Sequence, residues 1–132
     1  MIYLDNAATS WPKPDGVAKA VYDCINIAGG NPGRSGHKMS LEAGRIVLDC
    51  RDAVAGLFGI DDPMRIVFTL NTTDSLNMAI KGILQPGRHA ITSSMEHNSV
   101  ARPLKALEPY GIETTFVMAD SEGCIDPEDI EK

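Results

Sequence analysis

Long hydrophobic runs are missing from this chain. No stretch approaches the roughly 18 consecutive apolar residues of a membrane-crossing helix, which excludes a span of that kind. Aromatic residues are scarce at 5%, against 43% hydrophobic and 23% charged residues overall. That balance belongs to a globular protein, and it excludes a disordered, collagenous or disulfide-stapled chain. Basic residues are in deficit, 12 Lys+Arg against 18 Asp+Glu for a net charge of −6, so neither nucleic acid nor an anionic lipid surface is an expected partner of the whole surface. The three cysteines, Cys24, Cys50 and Cys124, include no C-x-x-C pair. No zinc or thioredoxin-type site is expected, and they read as reduced thiols filling small apolar spaces in a cytoplasmic protein. The opening Met1-Ile2-Tyr3-Leu4-Asp5 lacks a basic segment ahead of an apolar run, so no secretory signal is expected.

What is present is an alternation of element types. Residues 2–4 read as a short strand. Val17, Ala18, Val21, Tyr22 and Ile25 have helical spacing that stops at Gly29-Gly30. A longer helix is expected over about 40–58, where Leu41, Ile46, Val47, Cys50, Val54, Leu57 and Phe58 recur every three or four residues before Gly59. Then come a β-branched and aromatic run at 66–68, a helix face at Leu76, Ala79, Ile80 and Ile83, a strand at 89–92, a helix through Val100, Leu104 and Leu107, and a strand at 112–118. Strands alternating with helices predict an α/β fold with parallel strands and crossover helices. Asp126 and Pro127 suit the cap and first position of a last helix, with Glu128 and Asp129 in its first turn. The chain stops after about one and a half turns of it, too short a helix to persist alone. The expectation is a piece of a longer polypeptide, with apolar surface left uncovered and a tendency to self-associate.

Three loops carry the candidate chemistry. In Phe68-Thr69-Leu70-Asn71-Thr72-Thr73-Asp74-Ser75 a strand-like run leads into a helix. Ligands of parallel α/β sheets gather at the carboxyl ends of strands, and a helix N-terminus offers unpaired N–H groups to a phosphate. Thr72 and Thr73 would add two hydroxyls; the plainer alternative is an ordinary cap at Thr73 or Asp74. Asp74 would repel a phosphate unless it turns away or binds backbone N–H groups. The second loop, Ser93-Ser94-Met95-Glu96-His97-Asn98-Ser99, again lies between strand and helix. His97 can stack on a planar cofactor or move a proton, or be a solvated loop residue. The third, Gly30-Asn31-Pro32-Gly33-Arg34-Ser35-Gly36-His37, has a backbone able to approach a ligand and an arginine suited to a carboxylate or phosphate, or is a flexible connection between helices.

Together with Tyr3-Leu4-Asp5-Asn6-Ala7-Ala8-Thr9, these loops resemble, in order and over essentially the whole chain, the N-terminal part of the class V aminotransferases, and within them the cysteine desulfurases. The resemblance implies the aspartate aminotransferase-like, type I fold of PLP-dependent transferases, truncated here. Residues 1–37 would form an N-terminal segment with its helix and glycine-rich loop, and 38–132 the start of the PLP-binding large domain. It implies pyridoxal 5'-phosphate (PLP) as cofactor, with Thr72 and Thr73 on its phosphate and His97 stacked on its ring and serving in proton transfer. Asn6, Ala7, Arg34 and His37 would meet an amino-acid substrate, the last two in a loop that in relatives often approaches an active site across a homodimer interface. A sulfur-acceptor protein is a further implied partner. The Schiff-base lysine of the family, in a Ser-x-His-Lys type stretch, and its persulfide-forming cysteine lie beyond this length, so the segment by itself is expected to be inactive and Cys124 is structural. Another class V aminotransferase, a selenocysteine lyase, or a non-catalytic module of the same fold are the alternatives.

Overall fold

The computed structural model describes residues 2–34 and 36–131, so Ser35 of the glycine-rich loop lies outside the described residues. The chain forms two compact units, Met1–Val67 and Phe68–Lys132.

The first unit is helical. Helix α1 spans Asp15–Asn26 and α2 spans Lys38–Phe58, followed by a 3-10 turn at Pro63–Arg65. Gly59 ends α2 in the left-handed conformation (φ +65°), which lets its N–H reach the Ala55 carbonyl without a β-carbon penalty. The start of α2 is held by its neighbours in sequence. Ser40, 2% exposed, donates its hydroxyl to the Asn31 carbonyl at 2.6 Å, and His37 Nδ1 accepts the Ser40 N–H at 3.3 Å. Gly30 lies so close to α2 that a β-carbon there would sit 2.7 Å from the Met39 carbonyl carbon. Only glycine lets this loop cross the helix start, and the buried Ala28 and Ala43 mark the contact.

The second unit is the α/β part. Helix α3 (Thr72–Ile83) precedes strand β1 (His89–Ser93), then come helix α4 (Asn98–Leu107), strand β2 (Glu113–Val117) and the short helix α5 (Pro127–Glu131). The strands pair in parallel from His89↔Glu113 to Ser93↔Val117, with α4 as the crossover. Helices α3 and α4 pack on each other, and Leu104, Ile112 and Val117 form the buried apolar centre. Asp126 caps α5 by accepting the Glu128 N–H at 2.9 Å, as the sequence leads one to expect.

Two expected strands do not form. Residues 2–4 and 66–68 have no ladder partner among the described residues, and Ile2, Leu4 and Val67 are exposed. A β-branched run becomes a strand only when a neighbour takes its N–H and C=O groups. The expected uncovered apolar surface is present: Leu57, Phe58, Leu70, Ile83, Ile91 and Met118 are all exposed.

The turn after β2 supplies a pH handle. Asp120 Oδ1 accepts the N–H groups of Glu122 and Cys124 at 2.9 Å each, and the Gly123 N–H bonds the Asp120 carbonyl at 3.1 Å. These N–H groups, that of Cys124 foremost, hold the Asp120 carboxyl below its ordinary value. A lowered folded pKa means the stabilisation is full above the ordinary aspartate value of about 3.9 and is lost as pH falls through the lower folded value. The Glu122 and Cys124 amide resonances should therefore move together in acid below about pH 4, and Asp120→Ala should show the acid positions already at neutral pH. Amide shifts that stay fixed throughout the acid titration would contradict this.

Candidate functional site

Local sequence sets the first turn of α3. Its cap is Asn71, not Thr73 or Asp74 as the sequence suggests. The Asn71 side chain accepts the Asp74 N–H at 2.9 Å, and its carbonyl accepts the Ser75 N–H at 3.1 Å. The helix thus starts two residues earlier than a Thr73 cap requires and three earlier than an Asp74 cap requires, and Thr72 and Thr73 both sit in its first turn. Asn71 takes the N–H groups of Asp74 and Ser75 and leaves those of Thr72 and Thr73 for an outside acceptor. Asp74 resolves its conflict with an anion by turning back, its Oδ2 accepting the Leu70 N–H at 3.4 Å. Thr69 and Ser75 join hydroxyls across the turn.

Helix α4 begins in a related way with an unusual cap. His97, in extended backbone (φ −68°, ψ 153°), accepts the Ser99 N–H on its Nδ1 at 3.1 Å. The Ser99 hydroxyl lies 2.9 Å from the same nitrogen. An imidazole lone pair here does what an asparagine oxygen does at α3. Cap preferences favour Ser, Thr, Asp and Asn, so the sequence leaves this role of His97 unread.

These two helix starts open on one cavity of about 520 Å³, lined by Thr73, Asn77, Lys81, His97, Asn98 and Arg102 among others. Thr73 and His97 therefore share a hollow; Thr72 precedes Thr73 in the same turn but does not line it. The cavity also runs along both helices, past Lys81 in the last turn of α3 and Ala106 near the end of α4, so only part of its wall lies at the positive ends of their dipoles. Asn77, Lys81 and Arg102 escape the loop-by-loop reading of the sequence. The signal was helical: 73, 77 and 81 on α3, and 98, 102 and 106 on α4, recur every four residues and so lie along single faces. No carboxylate pairs with Lys81 or Arg102 among the described residues.

The remaining candidates belong to the first unit. The Asn6 side-chain oxygen accepts the Trp11 N–H at 2.9 Å, closing a turn that also holds Ala7, while the Tyr3 hydroxyl donates to the Asp5 and Thr9 carbonyls. Arg34 is exposed, its N–H bonded to the Asn31 carbonyl at 3.4 Å, and His37 is the cap of α2 described above. Among the described residues no group of three or more His, Cys, Asp or Glu could hold a metal ion, and no helix is long and apolar enough to cross a membrane.

With this geometry in place, comparison with known proteins assigns the family. The model of the class V aminotransferases matches residues 2–132, and the chain belongs to that family. It is 39% identical over 131 residues to the cysteine desulfurase IscS of Pseudoalteromonas translucida, covering 95% of this chain and 32% of that protein. IscS of Shewanella sediminis is 40% identical over 136 residues, covering 98% and 33%. Among solved structures, the apo cysteine desulfurase of Thermococcus onnurineus superposes with a TM-score of 0.85 at 32% identity, covering 98% of this chain and 33% of that one. SspA, solved in complex with cysteine, gives 0.84 at 30% identity, covering 99% and 38%. The chain spans about a third of the length of the curated relatives it matches, and it has the PLP-dependent transferase fold of that part of these proteins.

Proposed function

We propose that the chain is the N-terminal part of a PLP-dependent cysteine desulfurase that converts L-cysteine to L-alanine and passes the sulfur to an enzyme cysteine as a persulfide. The observation that carries this reading is the shared hollow of Thr73 and His97 beneath two helix starts, in a chain of this family. The residues fit a phosphorylated flat ring. The first turn of α3 presents the Thr73 hydroxyl to the hollow, with Thr72 beside it in the same turn and the N–H groups of both untaken, Arg102 and Lys81 make the hollow's lining basic, and His97 supplies a planar face. PLP, when bound, supplies the electron sink for cleavage of the cysteine C–S bond.

The chain's own residues do the rest of what falls to this segment. Thr72 and Thr73 hold the phosphate. His97 fixes the ring plane and holds a proton on Nε2, because Nδ1 is committed to Ser99. Arg34 takes the substrate carboxylate, with Asn6, Ala7 and His37 beside the substrate in the assembled enzyme. The Schiff-base lysine and the cysteine thiolate that accepts sulfur come from the remainder of the protein, which acts as a cytoplasmic homodimer handing sulfur to an acceptor protein. SspA with bound cysteine supports the choice of substrate.

The test is turnover by the full-length protein given L-cysteine and a thiol reductant. Equal amounts of alanine and sulfide are expected. Turnover of selenocysteine alone would make it a selenocysteine lyase, transamination without sulfide another class V enzyme, and neither a non-catalytic module.

A further inference from the structure

The cap of α4 joins an exposed residue to a buried one. Ser99 is 8% exposed, whereas His97 beside it is open to the cavity. Two groups of Ser99 converge on a single atom of His97: its backbone N–H at 3.1 Å and its hydroxyl oxygen at 2.9 Å from Nδ1. A backbone N–H can only donate, so Nδ1 must offer its lone pair. The neutral ring then carries its proton on Nε2. The hydroxyl, which can rotate, adds a second donor to the same lone pair and limits rotation of the ring about its bond to Cβ.

We propose that Ser99 is a positioning residue for His97, fixing the ring plane and the Nε2–H tautomer with which His97 faces whatever occupies the cavity. This rests on the reading of His97 as the ring-flanking residue, although the tautomer itself does not. A small, buried hydroxyl is required: alanine removes the donor and keeps the N–H, and threonine restores the donor. Because the backbone N–H persists in every variant but proline, the cap and the fold survive the alanine substitution, and the effect of the hydroxyl is isolated.

The experiment uses the full-length protein, labelled with ¹⁵N-histidine and read without cofactor, the His97 signals being assigned by their loss in His97→Gln. In the wild type, Nε2 is expected as the protonated nitrogen and Nδ1 as a strongly hydrogen-bonded acceptor. In Ser99→Ala, the Nδ1 resonance should move toward the position of a less hydrogen-bonded nitrogen, and Ser99→Thr should return it. With cysteine as substrate, Ser99→Ala should lower kcat by about fivefold to tenfold, the equivalent of one neutral hydrogen bond, with KM little changed, and Ser99→Thr should recover most of it. A proton on Nδ1 in the wild type, or a His97 spectrum indifferent to Ser99→Ala, overturns the proposal. A spectrum as expected in a protein that releases no sulfide leaves the role of Ser99 standing and removes the desulfurase reading instead.

Discussion

Replacing both threonines of the α3 first turn by valine, Thr72→Val with Thr73→Val, is expected to weaken PLP binding by the full-length protein by on the order of a hundredfold. Each swap keeps side-chain shape and backbone N–H and deletes one hydroxyl. A hydrogen bond to a charged group is worth about 1.5–3 kcal/mol, so two losses of the smaller size give that ratio. The protein itself should not notice. The turn is tied by Asn71, and the Asn77 side chain bonds the Thr73 carbonyl at 2.9 Å, not its hydroxyl. Circular dichroism should therefore be unchanged while the PLP dissociation constant rises. A dissociation constant within twofold of wild type would mean that the phosphate sits elsewhere.

His97→Ala is expected to reduce kcat by about 10²–10⁴, the range associated with loss of a positioned proton-transfer group. His97→Phe separates the two jobs of the ring. Phenylalanine keeps a flat face and has no Nε2 proton, so PLP affinity should stay near wild type while turnover stays low. Phenylalanine also cannot cap α4, because it offers no acceptor for the Ser99 N–H. Its thermal stability should fall by about 1 kcal/mol in consequence. Full activity in His97→Phe would show that stacking is the whole contribution of this residue.

The two strands that did form were legible because each combines a β-branched run with a helix that returns the chain to its side. Residues 2–4 and 66–68 are apolar runs as strand-like as these, but no strand partners them among the described residues, which no local pattern reveals. The helices were placed from apolar spacing, their ends read to within a few residues and that of α2 to the residue from Gly59. Their starts were not: Asn71 wins over Thr73 because its side-chain oxygen reaches the Asp74 N–H, and His97 and His37 cap helices with ring nitrogens. At the hollow, loop position left Thr73 and His97 open between a ligand role and a plain cap or loop role; the family resemblance singled them out, and both line one cavity. Asn77, Lys81 and Arg102 could not be read from their loops, because their part in the cavity follows from the packing of α3 on α4. Arg34 and Asn6 stand in the other compact unit, where their present bonds tie turns together.

A crystal structure of the full-length protein with PLP bears most directly on the assignment of this hollow. The phosphate should accept hydrogen bonds from the N–H groups and hydroxyls of Thr72 and Thr73, with the His97 ring stacked against the pyridine. A phosphate bound away from the start of α3, or a pyridine ring that His97 does not touch, would contradict it.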